Sequence, residues 1–124
     1  MVRTDLFGFY GSLRRGMVNY NIFKSALKYI KTIRISGYEL LTLGDYLYAV
    51  KSVHTSDSIV IEIFQIEDAN VAQAIHQMEI EAGYVFERIE VENMELGIYL
   101  FVHLGNESKV DSGDWVEFFG TNDR

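Results

Sequence analysis

Apolar and polar residues alternate along this chain with two different periods, and the periods divide it into strands and helices. Leu6-Phe7-Gly8-Phe9-Tyr10 reads as a short strand halted by Gly11-Ser12. From Asn19 or Asn21 onward, Ile22, Phe23, Ala26, Leu27 and Ile30 recur at helical spacing, with an asparagine as cap. Residues 32–43 are β-rich around Gly37-Tyr38, and Gly44-Asp45 reads as a turn. Ser58 to Ile66 is a strongly β-branched run. Asp68 then caps a second helix carrying Val71, Ala72, Ala74, Ile75 and Met78, and Gly83 closes it. Tyr84 to Val91 and Gly97 to Leu104 follow as strands, with a Ser112-Gly113-Asp114-Trp115 turn before a polar tail. No repeat or shift of composition divides the 124 residues, so one domain is expected over 1–124. Strands outnumber helices, and the gaps are mostly too short for helical crossovers. The expected class is α+β, with an antiparallel or mixed sheet, open or curled into a small barrel.

Two carboxylates break the apolar pattern. At about 100° per residue, Val71, Ala72, Ile75 and Met78 share one helix face, and Glu79 falls between Ile75 and Ala72. A carboxylate there is expensive to desolvate unless it is paired, hydrogen-bonded or raised in pKa. Either the helix frays before Glu79 and the side chain reaches water, or a polar pocket holds it. Glu62 poses the same question on a strand. It shares a face with Val60, Phe64 and Ile66, while Ile59, Ile61 and Ile63 make the opposite face apolar, as in a central strand. Glu62 therefore points into the core or a cavity, as a structural carboxylate or as part of a binding site.

Composition narrows the chemistry. An apolar share of 48 % and a mean hydropathy of +0.03 describe a globular chain, and no run approaches the ~20 apolar residues of a membrane span. A net charge of −7 argues against nucleic acid as a partner. It also means that an anionic substrate needs backbone N–H groups or a placed arginine. With no cysteine there is no disulfide, thiolate nucleophile or zinc–thiolate site. Met1 to Asp5 lacks the apolar stretch of a secretory signal, so a cytoplasmic location is expected. His54, His76 and His103 are scattered, and no metal site is expected from them.

Tyr10-Gly11-Ser12-Leu13-Arg14-Arg15-Gly16 sets a tight turn directly after a strand, where backbone N–H groups can converge on an anion. The turn lacks the Gly-Lys-Ser/Thr of a Walker loop and the Gly-x-Ser-x-Gly of a nucleophile elbow. Arg14 and Arg15 either pair with a substrate carboxylate or face solvent.

Taken together, the strand leading into Tyr-Gly-Ser-Leu-Arg-Arg-Gly, an asparagine soon after, and Glu79 behind a mid-chain helix resemble the γ-glutamylcyclotransferase-like family. That family includes the γ-glutamylamine cyclotransferases and AIG2-like proteins. Gly37-Tyr38-Glu39-Leu40, Tyr46 to Val50, Glu62 in its strand, Phe86-Glu87-Arg88 and Ser-Gly-Asp-Trp extend the resemblance over about residues 6 to 116. The chain departs from the family pattern at four positions. His76 stands for an Asp, Ile80 for a Gly, Leu47 for a proline, and Ile61 for a Gly before Glu62.

The resemblance implies a small mixed β-barrel flanked by helices. It implies an enzyme of acyltransferase or lyase type that turns a γ-glutamyl amide into 5-oxoproline and a free amine without a cofactor. Glu79 would be the catalytic acid/base. Tyr10, Gly11, Ser12, Leu13, Glu62 and Phe86 would bind the substrate. The implied partner is a small γ-glutamyl molecule, with neither nucleic acid nor membrane, and the protein a monomer or homodimer. The alternative is a non-catalytic module that binds a small metabolite or peptide on the same fold.

Overall fold

The computed structural model describes residues 5–43, 46–101 and 107–119. Eight strands and three short-to-medium helices are found among them. The strands are β1 (Leu6–Phe9), β2 (Lys28–Ser36), β3 (Tyr38–Leu43), β4 (Tyr46–Lys51), β5 (Ser58–Gln65), β6 (Val85–Val91), β7 (Met94–Leu100) and β8 (Ser108–Lys109). The helices are α1 (Val18–Phe23), α2 (Ala69–Glu81) and α3 (Trp115–Phe119). The class is α+β, with a mixed five-stranded sheet in the order β2-β5-β1-β7-β6 and a three-stranded sheet in the order β4-β3-β8. Strand β1 runs antiparallel to β5 and parallel to β7. No helix among the described residues is long and apolar enough to cross a membrane.

Strand β5 is central, as its two apolar faces require. Ile59, Ile61 and Ile63 are fully buried with Leu40, Ala49, Leu96 and Ile98, filling the space between the two sheets. Phe64 faces the other way, joining Phe7, Phe9, Leu13 and Ile75 beneath the helices. Each such side chain contributes roughly 1.5–3 kcal/mol on leaving water. Helix α2 starts where Asp68 predicts, its carboxylate accepting from the N–H groups of Asn70 and Val71. Such a cap is worth about 1 kcal/mol.

Three expectations need correction. The first helix does not continue to Ile30. It ends at Phe23, a 3-10 turn takes Lys24–Ala26, and Leu27 is already extended. Residues Lys28–Ser36, rich in Ile, Thr and Tyr, pair with β5 from Lys28 to Ser36, and that ladder overrides the local spacing. The asparagine cap is also absent. Met17 holds the N-cap position, and the Asn19 amide donates to Ser12 Oγ at 2.7 Å instead.

The third correction is to the barrel, because the sheets do not close. Lys31 pairs with Glu92 at the end of β6, bringing the edges β2 and β6 of the five-stranded sheet near one another. Among the described residues no ladder of backbone hydrogen bonds joins these two edges. A closed barrel needs a strand-to-strand ladder at every seam, and here one seam is bridged only by side chains. The expected turn at Gly44-Asp45 and the end of the strand read to Leu104 lie outside the described residues.

Gly113 joins the C-terminal segment to the central strand. Its carbonyl accepts from Val60 N–H at 2.9 Å, its φ is +65°, and a methyl group there would lie 2.1 Å from the Ser58 carbonyl oxygen. Gly113→Ala is therefore expected to lower the unfolding free energy by roughly 2–4 kcal/mol. The measurement is the urea midpoint, and an unchanged midpoint would contradict this reading of the seam.

Candidate functional site

The loop after β1 is held by hydrogen bonds along its own backbone. Arg14 N–H donates to the Gly11 carbonyl at 2.9 Å, and both Asn19 and Tyr20 N–H donate to the Ser12 carbonyl at 3.0 Å. The N–H groups of Gly11, Ser12 and Leu13 meet no acceptor among the described residues. Gly11 lies against Trp115, where a Cβ would come within 3.0 Å of the indole ring. Glycine is thus what lets the indole close on the loop.

The two arginines of the loop have separate tasks, and neither simply faces solvent. Arg14, only 6 % exposed, donates from Nε to Glu62 Oε2 at 3.0 Å and from Nη1 to Asp114 Oδ1 at 2.7 Å. Arg15 donates from its backbone N–H and from Nε to Glu62 Oε1, at 2.9 and 3.1 Å. Its guanidinium lies 3.6 Å above the Tyr29 ring centroid. Asp114 in turn accepts from the N–H groups of Val116 and Glu117, capping α3. Burial pushes the Asp114 carboxyl up, but the bond from Arg14 and those from the helix outweigh it and hold its pKa below the usual value.

Glu79 sits at the other side of the site. The helix does not fray before it, since α2 continues to Glu81. Gly83 N–H then donates to the Ile80 carbonyl and Tyr84 N–H to the Glu79 carbonyl, both at 3.0 Å. With Gly83 at φ +98°, this is a Schellman ending, and it fixes the backbone of Glu79 itself. Burial pushes the Glu79 pKa up to about 7. Among the described residues no cation pairs with its carboxylate.

A cavity of about 510 Å³ lies between loop and helix. Tyr10, Gly11, Ser12 and Leu13 form one part of its wall, and Met78, Glu79 and Ala82 another. The sequence-predicted loop and Glu79 are therefore brought together. Glu62 and Phe86, expected to bind substrate, are not among the residues that line this cavity. Both oxygens of Glu62 are taken up by Arg14 and Arg15, and its carboxylate is structural. Phe86 packs over Gly97 and beside Tyr99 and His76, one layer behind the cavity.

The remaining wall was not foreseen as a site. It comes from Tyr48, Tyr84, Tyr99, Phe101 and Trp115, with Asn19 beside Ser12. Tyr99 was within reach of strand alternation, since Gly97, Tyr99 and Phe101 occupy alternate positions. Tyr48 and Trp115 fall in stretches that carry the family resemblance, but their meeting with Tyr84 at one wall depends on long-range packing. Burial, and secondarily the charge of Glu79, pushes the Tyr99 hydroxyl well above the ordinary tyrosine range. That hydroxyl lies 2.8 Å from His76 Nδ1. No group of three or more His, Cys, Asp or Glu among the described residues is arranged to hold a metal ion.

Residues 7–117 match the profile of the family described as Gamma-glutamyl cyclotransferase, AIG2-like. The chain belongs to this family. Solved structures of the same fold include the uncharacterized protein PH0828 from Pyrococcus horikoshii, at 23 % identity and a TM-score of 0.78 over 93 % of this chain and 92 % of that one. The uropathogenic E. coli-specific protein c4763 is 20 % identical, with a TM-score of 0.75 over 96 % and 98 % of the two chains. Protein ytfP from Escherichia coli is 22 % identical, with a TM-score of 0.68 over 91 % and 97 %. No curated protein matches the chain. Within this AIG2-like chain, the departures at His76 and Ile80 are both on α2. His76 meets Tyr99 at the cavity wall, whereas Ile80 is exposed.

Two predictions follow from these contacts. Arg14→Leu leaves Asp114 without its cation and Glu62 with only Arg15, so a loss of roughly 3 kcal/mol is expected in chemical denaturation. A loss no larger than that of a surface substitution would remove the pair from its structural role. For Glu79, the folded pKa of about 7 lies above the ordinary 4.5, so the folded state binds the extra proton. Stability from this group is full below about 4.5 and is lost as pH rises through about 7. Glu79→Gln should flatten that decline, by roughly 1–3 kcal/mol across the window, in melts taken at several pH values.

Proposed function

We propose that the protein converts a γ-glutamyl amide into 5-oxoproline and the free amine, with Glu79 as the acid/base. The observation that carries this reading is a half-buried carboxylate, with no cation beside it among the described residues, lining the same cavity as Gly11, Ser12 and Leu13. Family membership supports a cyclotransferase-like activity in general terms.

The reaction is intramolecular. The substrate's α-amino nitrogen attacks its own γ-carbonyl carbon, and the bond from that carbon to the amide nitrogen breaks. Two protons leave the attacking nitrogen and two arrive at the departing one, so a single carboxylate that accepts and returns protons ends as it began. The difficulty is the first transfer. An α-ammonium near pKa ~8 and an ordinary glutamate near ~4.3 are mismatched by about 5 kcal/mol. With Glu79 at about 7, the mismatch falls to about 1.4 kcal/mol. Burial thus moves the base toward the proton it must take.

The loop amides suit negative charge. They have room for either the α-carboxylate, bending the substrate toward ring closure, or the oxyanion that forms on the γ-carbonyl. Each aimed donor contributes a few kcal/mol to an oxyanion. Either role supplies orientation, the strongest lever when both reacting groups belong to one molecule.

Glu79→Gln should lower 5-oxoproline release by at least ~10²-fold while binding of a γ-glutamyl amide persists. The wild-type rate should rise with pH along a limb centred near 7, set by deprotonation of Glu79. Full turnover by the variant would remove Glu79 from the mechanism. Binding without turnover by the wild type would instead favour the non-catalytic module.

A further inference from the structure

The cavity has a second section whose chemistry differs from the loop. Phe101 lies between Tyr48, whose ring is tilted to it at 4.7 Å between centroids, and Tyr84, which meets it edge-on at 5.4 Å, and all three line the cavity. Phe101 also reaches the end of α2, where a Cβ on Gly83 would come 3.0 Å from its ring. Glu79, four residues before Gly83, therefore has the loop amides on one side and an aromatic wall on the other. The Tyr48 hydroxyl donates to Glu107 Oε2 at 2.6 Å, which leaves its ring as the part of this tyrosine free to meet a ligand.

We infer that the departing amine carries an uncharged aromatic body, seated against Tyr48, Tyr84 and Phe101. The inference rests on the γ-glutamyl reading and names the half of the substrate that reading leaves open. Charge excludes the alternatives. Among the described residues, Glu79 is the only charged group lining the cavity. The loop amides serve the glutamyl half, so an amino acid as leaving group would bring a second carboxylate that meets no cation among the described lining residues. A buried, unpaired anion of that kind is strongly disfavoured. A tail ending in an ammonium has the opposite fault. Its favourable partner is Glu79, and a cation beside that carboxylate stabilises the ionised form and weakens the base. An uncharged ring meets neither penalty and packs edge or face against aromatic neighbours.

The test uses three γ-glutamyl conjugates: of phenethylamine, of phenylalanine, which adds only a carboxylate to the same skeleton, and of cadaverine, whose tail ends in an ammonium. Two readouts are taken on the whole protein. One is kcat/KM for 5-oxoproline release. The other is the Kd from the fluorescence of Trp115, the one tryptophan, which lines the cavity. The phenethylamine conjugate is expected to bind, and to react, at least about tenfold better than either charged conjugate. In Phe101→Leu that preference should shrink through KM. Equal or better binding of a charged conjugate overturns the inference, and its turnover would leave the cyclotransferase reading standing. The binding preference without any 5-oxoproline upholds the aromatic seat and sinks the catalytic reading. No binding of any conjugate overturns the inference.

Discussion

A guanidinium and a carboxylate are each costly to take out of water, yet Arg14 and Glu62 are both almost completely buried, at 6 % and 4 % exposure. Their pairing is the constraint on which the site depends. Glu62 belongs to the central strand β5, Arg14 to the loop after β1, and Asp114 to the cap of α3. One guanidinium thus joins the sheet, the cavity-lining loop and the helix that carries Trp115. A buried pair is weak evidence of net stability, because desolvation offsets much of its attraction. Its effect is on placement. Any shift of the loop that parted Arg14 from Glu62 would cost each buried group one of its ionic partners, which opposes movement of the loop relative to β5. Arg15 strengthens the arrangement from the rim, with its backbone N–H and side chain on the same carboxylate.

The second support is apolar and acts from the other side. Phe64 and Ile75 are buried between the sheet and the helices, and Val71, Ala72 and Met78 of α2 pack against the same cluster. These contacts fix the rotation of α2, and rotation decides where Glu79 points. The Schellman ending then fixes how far along the axis the helix stops. The loop is thus held by the ion pair and, through Leu13, by the same apolar cluster that sets α2, and the cavity lies between loop and helix.

What the sequence made legible follows the range of the interactions involved. The Asp68 cap, the Gly83 ending, the central character of Ser58–Gln65 and the inward turn of Glu79 all rest on neighbours within a turn or a strand. Periodicity is enough to read them. Lys28–Ser36 was misread at its start because its pairing with β5 outweighs a local helical spacing. The partners of Glu62 were hidden for a related reason. Arg14 lies 48 positions away along the chain, and nothing local distinguishes it from a solvent-facing arginine. The aromatic wall joins residues from β4, β7 and α3 that only the packed sheets bring together. The open seam between β2 and β6 is likewise a property of the assembled sheet, and no single strand records it.

Two glutamates point inward in this chain, and the difference between them is one of partners. Glu62 is met on both oxygens by guanidinium groups, so its charge is compensated and its work is structural. Glu79 is surrounded by apolar groups and tyrosine rings, and among the described residues it has no cation. The same burial that makes it expensive raises its pKa to about 7. In the proposed reaction that expense has a use, because a base matched to an ammonium must be destabilised as an anion before substrate arrives. A lysine placed beside Glu79 would stabilise the fold and weaken the base in one step. The absence of compensation at Glu79 and its presence at Glu62 are therefore complementary. One charge is neutralised and ties the loop to β5, and the other bears its own desolvation, which in the proposed reaction fits it to exchange a proton.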